Sequence, residues 1–87
     1  MIDTAAYRLS PTVSLRPEPF GALAYDFRTR QLTFLKTPRL VDVVRRLADS
    51  PDLGVALRDA GVGDHDRPGY LAALDGLART GIIEERP

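Results

Sequence analysis

The chain has 87 residues, 44% of them hydrophobic, with 12 lysines and arginines against 12 aspartates and glutamates, one histidine, no cysteine and no tryptophan. That length suits one domain spanning residues 1–87, and a chain this small buries only about 60–65% of its unfolded surface, which leaves little core to enclose a deep active site. The missing cysteines exclude a disulfide-stapled module, a thiolate metal centre and a cysteine nucleophile, and the single histidine excludes an all-histidine metal site within one chain.

The first third reads as strands. Val13-Ser14-Leu15-Arg16 alternates apolar and polar residues as a half-buried strand does, and Tyr7-Arg8-Leu9 is a candidate partner for it, turned by Ser10-Pro11. Arg16-Pro17-Glu18-Pro19-Phe20-Gly21 then interrupts regular structure, because each proline fixes its own φ, lacks a donor and restricts the residue before it. Residues 22–27 place Leu23, Tyr25 and Phe27 on one face of a second strand. Residues 31–35 place Leu32 and Phe34 on one face of a third and Gln31, Thr33 and Leu35 on the other. Arg28-Thr29-Arg30 joins the two without a glycine, asparagine or aspartate, so a hairpin is expected but its register is not defined.

The remainder reads as helices. Thr37-Pro38 is a capping residue followed by a first-turn proline, and Leu40, Val43, Val44, Leu47 and Ala48 recur at helical spacing until about Asp49. Ser50-Pro51 repeats the start signal for a short helix carrying Leu53, Ala56, Leu57 and Ala60, closed by Gly61 with Val62 folding back on Leu57. A third helix begins near Asp66, with Tyr70, Leu71, Leu74, Leu77 and Ala78 as its apolar stripe and Gly81 as its end. On another arc lie Gly69, Ala73, Gly76 and Thr80, with Ala72 beside them. A glycine inside a helix costs about 1 kcal/mol relative to alanine, so this stripe either suits close approach by something that Gly76→Leu would then block, or is an exposed face of good helix formers in which Gly76 is a tolerated weakness. Ile82-Ile83-Glu84 can return to the sheet. The expected fold is therefore α+β: an N-terminal three-stranded antiparallel meander followed by three helices, in the manner of a winged helix-turn-helix.

Catalytic constellations are absent. Ser10, Ser14 and Ser50 lie in no glycine-flanked elbow, Glu84 and Glu85 sit near the end where burial is not expected, and His65 falls in the polar linker Gly63-Asp64-His65-Asp66. No enzyme and no cofactor are expected. No apolar run approaches the roughly 20 residues that span a bilayer, and residues 1–6 lack the basic-then-apolar layout of a signal peptide, so a cytoplasmic protein with no membrane partner is expected. The zero net charge is a cancellation: residues 16–46 carry seven basic against three acidic side chains, and residues 47–87 carry four against eight. A small winged-helix DNA-binding regulator is the alternative reading of the topology. Its recognition helix, residues 67–80, would offer only Arg67 and Arg79 with Asp75 between them in an acidic half of the chain, so no nucleic-acid partner is expected.

A binding module remains. The strand Gln31, Leu32, Thr33, Phe34 and Leu35 has no internal proline or charge, and as an edge it would be a template for an added peptide strand. Gly69, Tyr70, Ala73 and Gly76 of the third helix would line the adjacent groove. Arg28, Arg30 and Lys36 around the hairpin would steer a peptide with acidic residues. If the Thr33 N–H faces that peptide, Thr33→Pro would remove a ladder donor.

The run from Leu15 to Tyr25 through Arg16-Pro17-Glu18-Pro19-Phe20-Gly21, then Leu32-Thr33-Phe34-Leu35-Lys36, and the ending Tyr70-Leu71-x-x-Leu74-x-x-Leu77-x-x-x-Gly81-Ile82 carry a family resemblance. They resemble the RiPP recognition elements of the pyrroloquinoline-quinone D type, and among them the mycofactocin-system peptide chaperones, over about residues 7–83. That resemblance implies a non-catalytic chaperone that binds a ribosomal precursor peptide by strand addition to the third strand, beside the third helix. It also implies presentation of the peptide to a radical-SAM maturase, which would hold the iron–sulfur cluster and S-adenosylmethionine. Arg16, Glu18 and Phe20 form a candidate surface for that enzyme, or a purely structural turn.

Overall fold

Two proline-bearing segments organise the strands in a computed structural model that describes residues 3–87. Met1 and Ile2, part of the N-terminal stretch assessed for a signal peptide, lie outside the described residues. The strands are β1 (Tyr7–Leu9), β2 (Val13–Glu18), β3 (Gly21–Asp26), β4 (Gln31–Leu35) and β5 (Ile83–Glu85); the helices are α1 (Pro38–Arg46), α2 (Leu53–Asp59) and α3 (Arg67–Arg79).

The Arg16–Gly21 stretch, expected to break regular structure, is strand up to Glu18 and turns on Pro19 and Phe20 alone, since Glu18 pairs with Gly21. Pro17 is tolerated because β2 is an edge of the three-stranded sheet, whose order is β2-β3-β4. Gly21 is required by close approach: a Cβ there would collide with the Leu35 carbonyl oxygen. The β3–β4 turn is built on Asp26, which is fully buried. Its Oδ1 accepts from the Thr12 hydroxyl and the Arg28 N–H, both at 2.9 Å. Burial pushes the Asp26 carboxyl up, but the Thr12 hydroxyl, the Arg28 and Thr29 amides and the Arg28 charge outweigh it and hold the group below the ordinary aspartate value of 3.8. Arg30 closes this turn at φ 62°, the left-handed region that the missing glycine would have occupied.

β1 does not pair with β2. Its partner is β5, with Arg8 opposite Glu84 and their side chains joined at 2.6 Å. β2, β3 and β4 make the antiparallel three-stranded sheet in chain order, while β1 and the C-terminal strand form a separate two-stranded sheet instead of joining it.

Helix ends follow their sequence signals with one shift. Thr37 caps α1 by accepting from the Leu40 N–H at 3.1 Å. The chain tightens into a 3₁₀ turn at Leu47–Asp49, where Ser50 donates back to the Arg46 carbonyl at 2.8 Å. Asp52, not Ser50, therefore caps α2, accepting from Val55 N–H at 2.9 Å. Gly61 and Gly81 end α2 and α3 at φ 83° and 82°, and Val62 and Ile82 donate back to Leu57 and Leu77 at 3.0 and 2.9 Å. These are paired Schellman closures, each burying the apolar residue that follows the glycine.

The core forms where the inner face of the main sheet meets the helices. Ala22, Ala24 and Leu35 are fully buried there against Val43, Val44 and Leu47, with Leu53, Leu57 and Leu74 completing the layer. Alanines on β3 let α1 come close. The large residues of the same strands, Leu23, Tyr25, Leu32 and Phe34, consequently lie on the outer face.

Candidate functional site

β4 is the edge of the main sheet opposite β2, and its ladder can be read to the individual amide. Phe27 N–H donates to the Thr12 carbonyl at 3.0 Å, so the backbone groups of Phe27, Tyr25 and Leu23 face β2. In an antiparallel strand these directions alternate, so Asp26, Ala24 and Ala22 turn theirs toward β4 and pair with Gln31, Thr33 and Leu35. Leu32 and Phe34 are left with their N–H and C=O groups aimed outward. The Thr33 N–H faces β3, so Thr33→Pro would break the internal ladder and is no probe of an added strand.

Beside the C-terminal half of this edge is a cleft of about 530 Å³ between β4, the β4–α1 corner and α3. Its walls are Phe34, Leu40, Tyr70, Ala73 and Leu77, with Lys36, Thr37, His65, Asp66 and Gly69 at its margins. Leu40 and Leu77 are core residues showing one side to the cleft, whereas the Phe34 ring is 59% exposed and stacks edge-on with Phe20 at 5.9 Å. An open strand edge lies next to an apolar trough lined by a helix, and that geometry accepts an extended peptide: the edge supplies backbone hydrogen bonds and the trough takes alternate side chains.

The sequence pattern of the peptide chaperone MftB family matches residues 6–84. The chain belongs to that family. It is 51% identical over 80 residues to the peptide chaperone MftB of Mycobacterium tuberculosis, covering 92% of this chain and 73% of the relative. To the Mycobacterium ulcerans peptide chaperone MftB it is 54% identical over 77 residues, covering 88% and 71%. The Mycolicibacterium smegmatis protein of the same name is 49% identical over 78 residues, covering 90% and 76%. No solved structure gives a significant match.

In this MftB-family chain, five of the residues expected at a peptide site come together in the cleft: Phe34, Lys36, Gly69, Tyr70 and Ala73. Gln31, Leu32 and Thr33 lie along the same edge strand outside the cleft lining, and Leu35 points into the core, fully buried. Gly76 is exposed beyond the lining, and a Cβ on it would meet nothing within 4 Å. Arg28 and Arg30 are exposed in the turn at the far end of β4. Arg30 and Lys36 have no ion-pair partner among the described residues, which leaves their charge available to an incoming group. Arg16 and Glu18 pair with each other at 2.7 Å on β2, and Phe20 joins the cleft rim through its contact with Phe34.

Thr37, Leu40, His65, Asp66 and Leu77 were missed as lining residues. Thr37 and Leu40 carry capping and core signals that mask a second role. His65 and Asp66 could have been found from their place immediately before α3, because loop residues at a helix start close the end of any groove that the helix walls.

Proposed function

We propose that the chain is a non-catalytic, cytoplasmic chaperone that binds the ribosomal mycofactocin precursor peptide as an added strand on β4 and presents it to a radical-SAM maturase. The observation that carries this reading is the open β4 edge, with Leu32 and Phe34 backbone groups outward, running beside the apolar cleft under α3. Peptide backbone would pair with Leu32 and Phe34, and one or two apolar peptide side chains would enter between Tyr70, Ala73 and Leu77. Arg28, Arg30 and Lys36 flank the strand at both ends and favour a peptide with acidic residues, an attraction that weakens with salt. The names of the relatives support the peptide partner. Redox cofactors belong to the maturase in this reading. No helix among the described residues is long and apolar enough to cross a membrane, which is compatible with the cytoplasmic placement.

The order of strands and three helices is also that of a winged helix-turn-helix, and we read that likeness as architectural only. A regulator's recognition helix needs free cations, whereas Arg67 is held by Asp3 at 2.9 Å and Arg79 by Asp75 at 3.0 Å. The test is a titration of the isotope-labelled chain with synthetic precursor peptide while backbone amide resonances are followed. Residues 31–35 and the first two turns of α3 should shift. Unshifted signals from both elements at large peptide excess would refute the proposal.

A further inference from the structure

Apart from Phe34, the peptide cleft does not use the outer face of the main sheet, and this face is unusual for a surface. Leu23 and Phe34 are direct cross-strand partners there, as are Tyr25 and Leu32. Leu32 is 62% exposed and Tyr25 37%, and Phe20 extends the patch at 43%. Contiguous apolar residues on an antiparallel sheet, where the pattern normally places polar ones, mark an interaction surface.

The surrounding charge selects the occupant. Arg16, the cross-strand neighbour of Leu23, is neutralised by its ion pair with Glu18, which leaves Arg30 and Lys36 at opposite ends of β4 as cations uncompensated among the described residues. The one acidic side chain on the ladder here, Glu18, is already engaged by Arg16. A second copy laid face to face would set these cations against each other, which disfavours self-association by this surface. A strand added at the β4 edge would leave the face open and extend it sideways. Phe34 makes the two regions continuous, since it lines the cleft and packs on Phe20.

We infer that this outer face is the docking surface for a folded protein whose contact patch is apolar and rimmed by carboxylates. Under the proposed function, on which this identification of the partner rests, that protein is the radical-SAM maturase. Aromatic and leucine side chains at the centre supply the buried contact, and the arginine and lysine rim sets orientation and association rate.

The experiment measures two affinities for the wild-type chain and for Tyr25→Glu and Leu23→Thr: one for synthetic precursor peptide, one for purified maturase, the latter with and without peptide. Both substitutions lie on the central strand, one strand in from the β4 edge and outside the cleft lining, and threonine retains strand propensity should the glutamate variant unfold. Peptide affinity should stay within about 2-fold of wild type, while maturase affinity falls about 10-fold or more for Tyr25→Glu and about 3-fold or more for Leu23→Thr. Unchanged maturase affinity in a folded Leu23→Thr chain would overturn the docking surface. So would a wild-type dimer that these substitutions dissociate, because the face would then belong to a second copy. Failure of the wild-type chain to bind peptide would overturn the proposed function instead, and the docking claim would still stand or fall on the peptide-free maturase measurement.

Discussion

The alternation of backbone directions along β4 makes adjacent amides non-equivalent, and replacing them one at a time separates fold from function. N-methylation of Phe34, introduced by semisynthesis, removes a donor that points away from the β3 ladder and keeps the ring against Phe20. The fold loses no ladder bond, and its melting temperature should move by less than about 2 °C. Peptide binding loses one backbone hydrogen bond, worth about 0.5–1.5 kcal/mol net, so affinity should fall about 2- to 10-fold, and further if the methyl group holds the incoming strand away. N-methylation of Thr33 should do the reverse. It strands the Ala24 carbonyl in the sheet, at about 1–3 kcal/mol, and should lower the melting temperature of a domain this size by about 4–20 °C. Calorimetric titration with peptide and thermal unfolding by circular dichroism read the two effects. A Phe34 derivative that melts early while the Thr33 derivative is untouched would refute the assigned ladder; unaltered peptide affinity of the Phe34 derivative would refute pairing at that residue.

Other substitutions test separate links. Gly76→Ala should stabilise α3 by about 1 kcal/mol, seen as a melting temperature higher by several degrees, with peptide affinity unchanged because the position faces open space outside the cleft. Ala73→Leu should fill the cleft and weaken peptide binding about 10-fold or more, measured by the same titration, without lowering the melting temperature. Gly21→Ala should destabilise the chain by about 1–3 kcal/mol in denaturant unfolding, since its methyl group must displace the β4 backbone. Asp26 has a lowered carboxyl pKa in the folded state, so its contribution is present above the ordinary aspartate value of 3.8 and is lost as pH falls through the folded value; stability should drop on acidification below about 4, and Asp26→Asn should flatten that limb.

Local signals carried much of the architecture. The Thr37-Pro38 start and the glycines at 61 and 81 are legible because a cap or a left-handed closure depends on a few adjacent residues. The pairing of β1 was not legible: its partner lies some seventy-five residues away, and only tertiary packing decides between β2 and β5. Nor was the inner face of the main sheet. Hydrophobicity alone would bury Leu23, Tyr25 and Phe34, whereas the close seat of α1 needs the smaller Ala22 and Ala24. The candidate site was half visible, since β4 lacks edge protection in its interior and α3 carries small residues. The contributions of Leu40 and His65 depend on how the β4–α1 corner and the α3 start converge in space, which no local pattern encodes.

The central claim is that β4 receives a peptide strand, and residue-resolved hydrogen exchange on the free and peptide-saturated chain tests it most directly. In the free chain the outward amides of Leu32 and Phe34 should exchange much faster than those of Thr33 and Leu35. Saturation with precursor peptide should slow Leu32 and Phe34 at least about 10-fold and leave the pattern of Thr33 and Leu35 in place. Exchange at Leu32 and Phe34 that stays fast while peptide is demonstrably bound would contradict strand addition on this edge.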